Sequence, residues 1–362
     1  MGHGAWVIGR TKPGDGGFRS GSRREWRLPG RIGRMSALAL LLVGVLTGWS
    51  AGAPSAAIPG RQLTPDGLAA LVKAYSRAMD QANRTLDVAL QDRYETGTAA
   101  RIDDDTFATD TQQRLTTDDG TTYFTTRDDL VREVIPTASP QRVALAVTRT
   151  VYAAGTPRAE ACPGGGSLLV ISRSARSAWR VGLEPTVALR RVPELASSGF
   201  GTLVTSGRGL RTAPQSLPAA FARQLSTELN AYAVSRRVAG LPAYLFGTED
   251  CFGLFSPPNL VEGFSYRFSV APVSPSDLVA FRTADGGALA LFTVETETFM
   301  ATTTPTAANQ PNQPDTTEQL AGQGLIEVAV FIPPATAHRA KPYSVIGGYS
   351  GDIETTPTDA AG

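Results

Sequence analysis

The chain has 362 residues, 42% hydrophobic and 19% charged, with a formal net charge of +1. That composition excludes a disordered chain and leaves room for two domains. The charge is uneven: residues 1–57 hold eight Lys/Arg against Asp15 and Glu25, and the rest holds 26 basic against 31 acidic residues. A mildly acidic body offers no electrostatic footprint for nucleic acid.

The basic residues 1–34 precede an apolar run over 35–57 that ends in small residues, the layout of an export signal. Ser55 and Ala57 suit the −3 and −1 positions of a cleavage between Ala57 and Ile58. A retained transmembrane helix is the alternative, because no charge occurs between Arg34 and Arg61. Its second half is Gly, Pro, Ser and Ala, which is poor helix and poor hydrocarbon filler. Ser22-Arg23-Arg24-Glu25-Trp26 also has the look of a twin-arginine signal. Leu46-Thr47-Gly48 is the shell of a lipobox, but Trp49 stands where the lipid-bearing cysteine belongs. Either reading exports the body, as a secreted or a single-pass envelope protein. In that compartment the two cysteines, Cys162 and Cys251, are expected to form a disulfide, worth about 4–5 kcal/mol for so long a loop.

The first element is a helix. Thr64 is a candidate N-cap, Pro65 suits the first turn, and Leu68, Leu71, Val72, Tyr75, Met79, Ala82 and Leu86 recur at helical spacing until a stop at Gly97. A short second helix is expected over Asp105–Leu115. Strands follow at 142–153 and 167–184 around a Gly/Pro loop. A Ser/Gly linker at 196–214 closes a first unit over 60–195. A helix from Ser216 with Phe221, Leu225, Leu229 and Tyr232 on one face opens a second unit over 215–355. Its strands are predicted at 264–271, 278–301 (a hairpin turning at Asp285-Gly286-Gly287), 325–334 and 343–354. Residues 302–324 read as a polar loop and 356–362 as a loose tail. Helix-then-strands thus occurs twice. The expected fold class is α+β, two successive helix-plus-curved-antiparallel-sheet halves of the nuclear transport factor 2-like or cystatin-like kind.

Three motifs carry a resemblance. Ala82-Asn83-Arg84-Thr85-Leu86-Asp87 with Glu95-Thr96-Gly97, Arg282 to Leu289, and Glu327 to Pro334 resemble the first helix, central hairpin and late strand of a family of actinobacterial exported proteins, known as a domain of unknown function. The resemblance spans about residues 62–354. It implies an envelope location and no known activity. Many members are lipoproteins, from which this chain departs at Trp49.

No residue set identifies a reaction. His338 lies in a Pro/Ala loop beside Arg339 and Lys341, without an orienting partner for a general base. Gly348-Tyr349-Ser350-Gly351-Asp352 is not a nucleophile elbow, and Gly164-Gly165-Gly166-Ser167 lacks the lysine of a phosphate loop. Asp103-Asp104-Asp105 lacks the spacing of a calcium loop and reads as a solvated helix start, with a cation site as the minor alternative. Glu295 and Glu297 alternate on one strand and share a face, which makes them the acid/base candidates; the solvent face of an amphipathic strand is the simpler reading. Tyr75, Trp179, Tyr232 and Tyr266 read as core, or as the lining of a pocket under each helix. No metal or cofactor is expected. The functional expectation is an exported envelope binding or scaffold module, with a partner protein or a small ligand; the alternative is a small-molecule carrier or acid/base enzyme using Glu295 or Glu297.

Overall fold

The computed structural model describes residues 62–116, 126–136, 142–152, 164–174, 177–196, 203–237, 241–246, 260, 264–273, 277–302 and 319–353. The export signal, the Ala57–Ile58 cleavage site, Cys162 and Cys251 lie outside them. Among the described residues no helix is long and apolar enough to cross a membrane.

Helix α1 spans Pro65–Thr85. Its start is as the sequence dictates: Thr64 accepts a hydrogen bond from the Gly67 amide at 3.1 Å, and Pro65 occupies the first turn. It stops earlier than Gly97, because Leu86 turns into the left-handed region at φ 54°. After α2 (Val88–Gln91), Gly97 with φ +64° opens helix α3, Gly97–Thr116, instead of closing α1. The second helix therefore begins eight residues before the expected Asp105, and Asp103 to Asp105 lie inside it.

Ten strands form one open antiparallel sheet: β1 (Thr126–Val134), β2 (Val143–Tyr152), β3 (Gly165–Ser172), β4 (Arg180–Leu183), β5 (Thr186–Ala188), β6 (Phe264–Pro272), β7 (Val279–Arg282), β8 (Ala288–Thr302), β9 (Gln319–Ile332) and β10 (Ser344–Ile353). The order is β1-β2-β3-β5-β10-β9-β8-β6, with β4 on β3 and β7 on β8. The class is α+β, as expected. Helix α4 (Leu217–Ser235) buries the predicted Phe221, Leu225, Leu229 and Tyr232, and a short α5 covers Ala243–Phe246. The hairpin turn falls where predicted: the Asp285 carboxylate accepts from Thr283 Oγ1 at 2.6 Å and from the Gly287 amide at 3.0 Å.

Strands of both predicted stretches share this sheet, joined at a narrow seam. β5 pairs β3 through three residues and β10 through Val187 and Gly347 alone. A Cβ on Gly347 would lie 2.2 Å from the Thr186 carbonyl, so only glycine allows the seam to close. The interior is shared as well. One apolar cluster combines Leu145, Val147, Leu168 and Val170 with Phe281, Leu289, Leu291 and Ala329. The intervening residues of those strands face clusters under α1 (Ala144, Ala146, Leu169, Ile171) and under α4 (Ala290, Phe292, Val328, Val330). Both sheet faces are thus covered, which is why these strands read as unbroken apolar runs. The described part of the 196–214 stretch packs beside β7, with the Val204 amide donating to the Ala280 carbonyl at 2.8 Å.

Candidate functional site

Beneath α1 and α3, where they meet the seam, lies a cavity of about 650 Å³, part of it open to solvent. Five carboxyl groups line it, each from a different element: Glu95 after α2, Asp103 on α3, Asp128 on β1, Glu184 between β4 and β5, and Glu327 on β9. Tyr75, Ser76 and Met79 of α1, Ala99 and Thr106 of α3, and Tyr349 of β10 complete most of the wall. Among the described residues, no Lys, Arg or His lines it.

Backbone pairing fixes three of these acids. Glu95 sits on a short bridge to Val181, held by the Thr96 amide on the Val181 carbonyl and the Val181 amide on the Tyr94 carbonyl, both at 2.8 Å. Asp128 and Glu327 are placed by strand register, Glu327 opposite Tyr349 and Thr293. Asp103 depends on how α3 seats on β10. A Cβ on Gly351 would come within 2.4 Å of Ile102, so the bare backbone of β10 admits the helix.

The side chains form a proton-sharing network. The Tyr75 hydroxyl is 2.7 Å from Oε1 of Glu95 and also hydrogen-bonds Oε2 of Glu184. A phenol has one proton to donate, so one of these two bonds requires a protonated carboxyl as its donor. Gln91 Nε2 donates to Oε2 of Glu95 at 2.9 Å, and Thr150 Oγ1 donates to Asp128 at 3.0 Å. The Glu184 amide donates to Oε2 of Glu327 at 2.6 Å. The other Glu327 oxygen, Oε1, has no hydrogen-bond partner although the residue is only 1% exposed.

Burial drives these acids toward their neutral forms. It raises Glu95 and Glu327 well above the ordinary carboxylate range, with neighbouring acids adding to the effect. Glu184 climbs to about 8, through burial and then the charges of Asp128 and Asp103. Asp103 and Asp128 rise to about 6, again chiefly by burial. Tyr75 and Tyr349 are pushed up by burial and by the surrounding carboxyls. Among the described residues no group of three or more His, Cys, Asp or Glu is arranged to hold a metal ion.

The residues singled out from sequence fare differently. Tyr75 faces this cavity, whereas Trp179 and Tyr232 are core and Tyr266 packs against the cluster under α4. Asp103 points into the cavity and is not part of a solvated helix start; its helix begins at Gly97, which turns that position inward. Glu295 and Glu297 are half-buried on β8, outside the cavity lining; Glu297 accepts from Gln323 Nε2 at 3.3 Å. His338 is exposed in a turn. Glu95, Asp128, Glu184 and Glu327 escaped sequence reasoning. Glu327 alone carried a signal, being the one charge inside the apolar run LIEVAVFI.

Residues 59–240 match the family model of a domain of unknown function, DUF8094. The chain belongs to that family. The DUF8094 match spans α1 to α4 and includes Glu95, Asp103, Asp128 and Glu184, while Glu327 and Tyr349 lie beyond it. No curated protein and no solved structure matches the chain.

Proposed function

We propose that this DUF8094 protein is an exported cell-envelope binding module, non-enzymatic, whose cavity beneath α1 and α3 takes a small molecule. The observation that carries this reading is the cavity itself: a concave space walled by fixed, partly unsatisfied polar groups. The basic and apolar N-terminal layout supports export, with cleavage before Ile58 and a Cys162–Cys251 disulfide in the secreted form. The motifs that resemble actinobacterial exported proteins support the same compartment. Each long helix with its share of the sheet is read as one cone-like half, the two fused at the β5–β10 seam.

The test has two parts. Intact mass of the protein from an actinobacterial host should give a chain starting at Ile58 and two hydrogens lighter than its reduced form; a full-length chain in the membrane fraction refutes cleavage. A thermal-shift screen of neutral, anionic and cationic small molecules should then give hits that Asn83→Trp, which fills the cavity wall, abolishes. Hits of every class that persist in Asn83→Trp would refute the cavity as the site.

An acid/base enzyme is the second reading. It is favoured by Glu184, which sits near neutrality beside the Tyr75 hydroxyl. Turnover lost in Glu184→Gln, with ligand binding retained, would establish it.

A further inference from the structure

We propose that the occupant of this cavity is an organic cation, an ammonium group on an apolar body, with its charged head on Oε1 of Glu327 and the adjoining carboxyls. The proposal rests on the cavity being a binding site and names what it binds.

The first argument is the unpartnered oxygen. Glu327 is fixed in mid-strand and lines the cavity, its Oε2 takes the Glu184 amide, and its buried Oε1 has no donor. Leaving a buried acceptor unmet is unfavourable, more so for a charged one. A donor brought by a ligand satisfies it. The second argument is charge balance. Five carboxyls surround one space, and no basic side chain lines it among the described residues, so the ionised cluster calls for a bound cation or is neutralised by protons. The third argument separates an organic cation from a bare metal ion. A calcium or magnesium site needs several oxygens converging at about 2.0–2.6 Å, and the described acids offer no such group. An ammonium head asks less, since its three N–H donors reach acceptors spread over the wall at ordinary hydrogen-bond distances. Tyr75, Met79 and Ala99 supply the surface for a hydrocarbon body.

Hexylammonium chloride is the probe, with hexan-1-ol as its neutral match, sodium hexanoate as its anionic match and calcium chloride as the metal control. Melting temperature and calorimetric affinity are measured on the full chain, its Glu327→Gln variant and its Asn83→Trp variant. Hexylammonium should raise the melting point of the wild type progressively with concentration, with neither control ligand nor calcium doing so. Glu327→Gln should weaken the affinity about tenfold or more, the effect of one charge-assisted hydrogen bond. If Glu327→Gln fails to fold, Glu95→Gln takes its place. Stabilisation by hexan-1-ol or hexanoate alone, lost in Asn83→Trp, would leave the binding site standing and overturn the cation. Stabilisation by calcium alone would replace the organic cation with a metal. No response to hexylammonium at millimolar concentration would overturn the inference outright.

Discussion

Glu184 makes the acidic cavity measurable through stability. In the unfolded chain its carboxyl titrates near the ordinary 4.5, whereas the folded protein holds the proton to about pH 8. Between those values the folded state binds more protons than the unfolded one, so stability is greatest near the low end and falls as pH rises. Each tenfold in proton affinity is worth about 1.4 kcal/mol, which gives about 5 kcal/mol for the whole displacement. Solvent in the open cavity and proton sharing with Glu95 through Tyr75 screen this to about 2 kcal/mol. Asp103 and Asp128, raised to about 6, act in the same direction over a narrower window. Urea unfolding at pH 5 and pH 8 reads the difference as a fall in midpoint. Glu184→Gln imitates the protonated acid at every pH, so it should be the more stable protein at pH 8 and should show a shallower fall. A wild type as stable at pH 8 as at pH 5, or a variant with the same fall, would refute the buried-proton account.

Three further outcomes follow from the packing. Tyr75→Phe removes the hydroxyl joining Glu95 and Glu184 and should lower stability by about 1–3 kcal/mol in equilibrium unfolding at neutral pH, the consequence of an unmet buried partner. Gly351→Ala drives a methyl into Ile102 and should destabilise by about 1–3 kcal/mol, with increased amide exchange along α3. Phe281→Ala opens a void in the cluster shared by both stretches of strand and should lower stability by about 3–5 kcal/mol. Its calorimetric trace should keep one transition, because the two stretches share that core; a split into two would show that they unfold separately.

Local features were legible and distant ones were not. Thr64-Pro65 fixed the start of α1, and Asp285-Gly286-Gly287 the hairpin, because caps and tight turns are decided within four residues. β1 went unrecognised because TRDDLVREV is a charged edge strand, whose polar residues protect an open side and break the alternation. The continuous sheet was invisible, since its seam depends on Gly347 meeting Val187 across some 160 positions. The site was hidden for the same reason. Its acids come from positions 95, 103, 128, 184 and 327, and all but Glu327 pass alone for ordinary surface carboxyls.

That dispersal bears on what the cavity is for. Five acids around one cavity, with no basic residue lining it among the described residues, oppose folding at neutral pH, and apolar residues of similar volume there would give a more stable protein. Protons relieve that opposition in the empty protein, and the proposed cation would relieve it when bound. A cation that binds only the folded form adds stability that grows with the logarithm of its concentration above Kd, and adds most where the acids are ionised. The groups facing it are Glu95, Asp103, Asp128, Glu184 and Glu327, with Tyr75 and Tyr349 neutral throughout. An alkylammonium titrates like lysine, near about 10.4, and stays charged from pH 5 to pH 8. Hexylammonium should therefore raise the melting point more at pH 8 than at pH 5, opposing the decline of the empty protein. An equal rise at both values would place the amine somewhere other than on these carboxyls.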